Sequence, residues 1–192
     1  MRSNDGGVDS NGRFWVEAFV DPEISELTDE GVLFRLDPNG LKTMYEKIVI
    51  PNGITWDATD TRMYLTDTTK GKIWSFTYDS SSGDISNQSV FYRHEGPGNP
   101  DGHTMDAEGN IWQTLYGGSR VLRISPQGKV IGEVLLPTRN ITSCTFAGTD
   151  LYITSARDSD PDSYPESARF AGNLFKVNVG VRGVPKHKAR LP

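Results

Sequence analysis

What most limits the fold of this chain is a repeat. Four aromatic residues, Trp15, Tyr64, Trp112 and Tyr152, stand 49, 48 and 40 residues apart. A related stretch precedes each of them. Pro100-Asp101-Gly102 runs through Asp106-Ala107-Glu108-Gly109-Asn110 to Ile111-Trp112. Pro51-Asn52-Gly53-Ile54-Thr55-Trp56-Asp57 runs on to Arg62-Met63-Tyr64, and Asn4-Asp5-Gly6-Gly7-Val8-Asp9 runs on to Gly12-Arg13-Phe14-Trp15. Downstream the pattern weakens to Thr142-Ser143-Cys144-Thr145-Phe146 followed by Asp150-Leu151-Tyr152. Repeats of about 40 to 50 residues are characteristic of propeller blades, units that cannot bury their apolar faces alone.

Each repeat also has a strand grammar. After the aromatic marker comes a short alternating run: Gly31-Val32-Leu33-Phe34-Arg35-Leu36, Gly71-Lys72-Ile73-Trp74-Ser75-Phe76, Ser119-Arg120-Val121-Leu122-Arg123-Ile124 and Gly172-Asn173-Leu174-Phe175-Lys176-Val177. Alternation of period two places one face of a strand on a core. Turn signals follow at Asp37-Pro38-Asn39-Gly40, Ser82-Gly83-Asp84 and Ser125-Pro126-Gln127-Gly128, each leading into another β-prone run. The expectation is an all-β chain, a β-propeller of four-stranded antiparallel blades, with about four blades present and residues 1–192 forming a single domain. Ala156 to Glu166, rich in Asp, Ser and Pro, reads as a surface loop.

Composition narrows the partners. The formal charge of -5 gives no basic face for phosphates, so nucleic acid is not an expected partner. Lys186-His187-Lys188-Ala189-Arg190 reads as a solvated basic tail. Cys144 is the single cysteine, so no intrachain disulfide can form. The first residues hold no apolar leader, and no apolar run reaches the length of a membrane span. No membrane association and a cytoplasmic location are therefore expected, with the oligomeric state left open. Asn140-Ile141-Thr142 matches a glycosylation acceptor by chance.

In a propeller the inner strand of each blade lines the central channel. Asn4, Asn52 and Asp101 stand at or near equivalent positions where those strands begin, and would converge there. Amide and carboxylate oxygens so placed are what a hard divalent cation takes. The competing reading is that Asn-Gly and Asp-Gly are turn dipeptides, which recur in any β-repeat. His103 reads either as a packed strand residue or as a channel residue able to move a proton. Cys144 reads as a small buried hydrophobe and the Trp and Phe stripe as core.

Taken together, Arg2 before Asn4-Asp5-Gly6, Pro51-Asn52-Gly53-Ile54-Thr55-Trp56, Pro100-Asp101-Gly102 and Thr142-Ser143-Cys144 with Tyr152-Ile153-Thr154-Ser155-Ala156 resemble the senescence marker protein, regucalcin and gluconolactonase family. The resemblance extends to Gly172-Asn173-Leu174-Phe175-Lys176-Val177. It implies a six-bladed propeller that hydrolyses a sugar lactone, a carboxylic ester hydrolase with one divalent ion, Ca²⁺, Zn²⁺, Mn²⁺ or Mg²⁺. On that resemblance Asn52 and Asp101 match metal ligands, Asp101 also matches the catalytic base, and Arg2 and Asn4 match substrate-binding residues. A further acidic substrate contact falls on Asp21 or Glu23. The family's remaining metal ligand, a glutamate in an upstream Glu-Gly-Pro type segment, has no counterpart in these 192 residues, which implies a chain incomplete at its N-terminal side relative to the family. The alternative function is a metal-binding or protein-interaction propeller fragment without turnover.

Overall fold

The computed structural model describes residues 1–190 and divides into two compact units. One comprises Met1–Arg93 with the chain from Pro185 onward, the other His94–Val184. The first unit holds two antiparallel sheets. Strands β1 (Arg2–Val8), β2 (Phe14–Phe19), β3 (Gly31–Asp37) and β4 (Gly40–Ile48) are hydrogen-bonded in sequence order. So are β5 (Pro51–Trp56), β6 (Arg62–Asp67), β7 (Lys72–Asp79) and β8 (Asp84–Arg93). These are propeller blades as the repeat demands, with the alternating runs as third strands and the aromatic markers on the second.

Between the two sheets lies one apolar cluster. Trp15, Leu33, Ile48, Met63 and Leu65 are fully buried in it. The Trp15 ring meets Trp56 edge-on at 5.6 Å and Tyr78 at 6.3 Å. Such pairs add about 0.5–1.5 kcal/mol each beyond their area. A blade's apolar face is thus covered by the next blade's, which is why the repeat cannot fold singly.

The second unit holds β9 (Asn99–Met105), β10 (Ile111–Tyr116), β11 (Arg120–Ile124) and β12 (Val130–Leu135), again in sequence order. Among the described residues its other sheet has three strands, β13 (Ile141–Ala147), β14 (Asp150–Ser155) and β15 (Leu174–Asn178), where four were expected in every blade. The residues that would have formed its fourth strand run elsewhere. Ala107 N donates to Arg182 O (2.7 Å) and Val184 N to Met105 O (3.1 Å), so the chain after β15 lies along the end of β9. Between β14 and β15 the loop is irregular except for α1 (Pro165–Ala168).

Two smaller readings are also settled. The basic tail is not simply solvated, because Arg190 N donates to Gly12 O at 2.8 Å, although its side chains are exposed. Asn140 is buried, with Nδ2 donating to Arg157 O (3.3 Å), a place from which a glycan could not project. Among the described residues no helix is long and apolar enough to cross a membrane.

Candidate active site

Every inner strand carries a β-bulge at the same place in the repeat. In β1, Ser3 pairs with Ala18 and Gly6 with Val16, so Asn4 and Asp5 together oppose Glu17. In β5, Asn52 pairs with Thr66 and Ile54 with Leu65, leaving Gly53 extra. In β9, Pro100 pairs with Leu115 and His103 with Gln113, so Asp101 and Gly102 oppose Thr114. In β13, Ile141 pairs with Ser155 and Ser143 with Thr154, leaving Thr142 extra. A bulge breaks the ladder locally and re-aims a side chain, and bulges concentrate beside active sites.

The bulges rule out the turn reading of Asn-Gly and Asp-Gly. Asn52-Gly53 and Asp101-Gly102 lie inside strands, and neither glycine has a positive φ. Gly102 is required for closeness: a Cβ there would come within 2.8 Å of Thr142 O and 2.6 Å of Ser143 Oγ, on the neighbouring inner strand. The dipeptides are bulge residues, and not turns.

In the first unit, Arg2, Asn4, Asp21 and Asn52 have defined surroundings. The Arg2 guanidinium, half exposed, is 3.6 Å from Asp21 and 5.9 Å from the centre of the Phe19 ring. Asn4 Nδ2 donates to Pro51 O at 2.8 Å, which ties the β1 bulge to the residue preceding Asn52. Asn52 is buried, and its Nδ2 donates to Thr68 Oγ1 at 3.2 Å. Of the two acidic candidates, Asp21 is the one beside Arg2; Glu23 is exposed and its backbone N–H caps the Asp21 carboxylate at 3.0 Å. Asp5, not singled out by the sequence, shares the β1 bulge. Burial pushes its carboxyl above the ordinary range, against the opposing pull of the Gly6 N–H and the Lys186 charge.

In the second unit, Asp101 stands on the β9 bulge, half-buried. Two fully buried side chains of β10 fasten that bulge. Gln113 Nε2 reaches Asp101 O (2.9 Å), Gly102 O (3.1 Å) and Thr114 O (3.0 Å). The Thr114 hydroxyl lies 2.7 Å from Gly102 O and 2.9 Å from Thr142 O, sharing its proton between two adjacent inner strands. Neither of these two positioning residues is legible from the sequence, because their role depends on cross-strand register. His103 is buried on β9 opposite Gln113, and buried Cys144 donates its Sγ–H to Trp112 O at 3.2 Å.

The second aspartate of the repeat has a different task. Asp106 accepts from the backbone of Glu108 (3.0 Å) and Asn110 (2.9 Å), from Trp112 Nε1 (2.9 Å) and from Arg123 Nη2 (2.9 Å). Asp9 does the same for Asn11 N (3.0 Å), Arg13 N (3.0 Å), Trp15 Nε1 (3.0 Å) and Tyr78 Oη (2.7 Å). Both are fully buried. Burial alone raises their pKa values, yet these donors outweigh it and hold both carboxyls below the ordinary range. They staple the turn and the aromatic marker, and they are committed to structure.

The donors at Asn52 and Asp101 fit a hard divalent cation in kind, since each offers oxygen. Among the described residues no group of three or more His, Cys, Asp or Glu side chains gathers as a metal cluster.

Successive antiparallel blades, with a bulge in each inner strand, are the fold of a β-propeller protein. Residues 1–157 match the family described as SMP-30/Gluconolactonase/LRE-like region. Regucalcin from Oryctolagus cuniculus is 35% identical over 97% of this chain and 65% of its own length, and regucalcin from Homo sapiens is 34% identical over 95% and 64%. A solved calcium-binding protein, regucalcin, from Agrobacterium tumefaciens superposes with a TM-score of 0.90 at 27% identity, covering 98% of this chain and 65% of that one. A gluconolactonase from Xanthomonas campestris gives 0.66 at 25% identity, covering 79% and 53%. The chain belongs to the SMP-30/gluconolactonase/LRE-like family, and it spans about two thirds of the length of the curated relatives it matches.

Proposed function

We propose that this chain carries the sugar-lactone-hydrolysing residues of its family, with Asp101 as the general base. The observation that supports the reading best is the bulge on β9, which singles Asp101 out of its ladder and fastens it through Gln113 and Thr114, while Asp106 in the same motif is consumed by structure. Asp101 takes a proton from the attacking water and returns it to the ring oxygen as the C–O bond breaks, leaving the open hydroxy acid. Arg2 balances the negative charge that develops on the lactone carbonyl oxygen, and Asp21 orients its guanidinium. Asn4 Oδ1 accepts from a sugar hydroxyl. By the family resemblance Asn52, in the first unit, and Asp101, in the second, are each matched to a cation ligand, and a divalent cation, when bound, would supply Lewis-acid polarisation and a lowered water pKa.

The test is pH-stat hydrolysis of a sugar lactone by the purified chain, before and after chelation and after return of Ca²⁺, Zn²⁺, Mn²⁺ or Mg²⁺. The reading expects turnover that chelation abolishes and one of these ions restores. Turnover indifferent to chelation removes the cation from the account. The rival reading, a binding propeller without turnover, draws on the one-third of the relatives' length that this chain does not span. It expects cation binding with no hydrolysis above background.

A further inference from the structure

The second unit has a cavity of about 470 Å³ separate from the residues assigned above. Its lining includes Gly117 and Ser119 from the β10–β11 turn, Arg139 ahead of β13, and Ser163, Tyr164 and Glu166 from the loop before β15. Arg139 dominates its chemistry. The guanidinium carbon lies 3.5 Å from the centre of the Tyr164 ring, so the planar cation is stacked in place. Its Nε, buried without a hydrogen bond, is 3.4 Å from Asp158 Oδ2.

That carboxylate is itself fixed, with Oδ2 accepting from Ser167 Oγ at 3.0 Å and Oδ1 from Asp160 N at 3.2 Å. Ser167 Oγ also accepts from Arg139 N at 3.0 Å. On the far side Arg139 O accepts from Ser119 N at 3.1 Å, a residue held at φ 55°. One edge of the guanidinium is therefore anchored from several directions. Its two terminal amino groups make no hydrogen bond among the described residues and remain as a preorganised fork. Such a fork matches a carboxylate in two-point geometry. Ser119, Ser163 and Glu166 also line the cavity, a mixture of donors and acceptors suited to sugar hydroxyls.

We propose that this cavity binds a small polyhydroxy carboxylate, with the acid on Arg139 and the hydroxyls on Ser119, Ser163 and Glu166. The inference rests on the proposed lactonase reading for its biological sense, because opening a sugar lactone makes a molecule of this class. The placement agrees. Asn99 pairs with Tyr116 and Pro100 with Leu115, so Asp101 and the Gly117 wall of the cavity lie toward the same end of the blade. The cavity is then a product-holding subsite, and product at high concentration lingers there.

The test is ligand-observed NMR and calorimetry with D-gluconate on the purified chain, beside sorbitol as an uncharged polyol and inorganic phosphate as a bare anion. Saturable gluconate binding is expected, with sorbitol, which lacks the charge, and phosphate, which lacks the hydroxyl chain, each at least about tenfold weaker. Arg139→Gln is expected to weaken gluconate about tenfold or more. Should Arg139→Gln lose its fold, Glu166→Ala, whose side chain makes no hydrogen bond or ion pair, is expected to weaken gluconate several-fold with an unchanged melting temperature. No gluconate binding, binding equal to phosphate, or binding lost in Asp101→Asn but kept in Arg139→Gln and Glu166→Ala would overturn the proposal. A chain that binds gluconate through Arg139 yet hydrolyses no lactone refutes the lactonase reading alone. A chain that hydrolyses lactone but binds gluconate without Arg139 refutes the subsite alone.

Discussion

The two blades of the second unit share a plan and differ in what holds them. In the sheet β9–β12, Asp106 gathers the turn, the Trp112 indole and the Arg123 guanidinium around one buried carboxylate, and the outer strand β12 covers β11. In the sheet β13–β15 the matching turn is Gly148 and Thr149, with no carboxylate inside it, and β15 has a partner on one side only. Asp150, nearby, bonds Asn178 and Lys176 at the surface. The bulge, by contrast, is kept in both. What the repeat preserves is the shape of the inner strand, and what it relaxes is the stapling behind it.

Substitutions can sharpen that contrast. Asp106→Ala strands Trp112 Nε1 and Arg123, and should cost about 3 kcal/mol in urea unfolding, as loss of one partner from a buried charged network does. Asp150→Ala, its nearest counterpart in the weaker blade, should leave the unfolding midpoint unchanged; an equal loss would erase the distinction. Gly102→Ala forces a methyl against Thr142 O and Ser143 Oγ, and should cost about 1–3 kcal/mol. Trp112→Phe keeps the ring in the core but deletes one bond to Asp106, for about 1 kcal/mol.

The smallest effect is a matter of pH. Because the folded carboxyls of Asp9 and Asp106 are depressed, the stability they add is complete above the unfolded aspartate pKa of about 3.9 and is lost as pH falls through their folded values. Urea midpoints should therefore fall below about pH 4, and the fall should be shallower in Asp106→Asn. A decline of the same slope in that variant would assign acid sensitivity elsewhere.

The blade plan was legible in the sequence because strand alternation and aromatic spacing are local signals, and Leu33, Ile73, Val121 and Phe175 fall where the alternation put them. The bulges were not. A bulge is a relation between two strands, so Asp101-Gly102 reads equally well as a turn until the pairing of its flanking residues, Pro100 with Leu115 and His103 with Gln113, shows the bulge. The division of labour between Asp101 and Asp106 was half-visible. An aspartate followed by Gly and then by Trp three residues later marks a staple, yet only the donors around it show that the carboxylate is spent. The missing fourth strand was hidden because Val179 to Val184 has β-prone composition but pairs with Met105 and Ala107 instead.

The central claim is that two aspartates five residues apart in one motif have separate jobs, chemistry for Asp101 and structure for Asp106. The direct measurement is the sugar-lactone hydrolysis rate of Asp101→Asn and Asp106→Asn, taken at a temperature where melting curves show both folded. The account expects Asp101→Asn to lose about 10²-fold or more in kcat with its melting temperature intact, in line with loss of a general base. Asp106→Asn should melt earlier while turning over near the wild-type rate. An Asp101→Asn variant as fast as the wild type would contradict it.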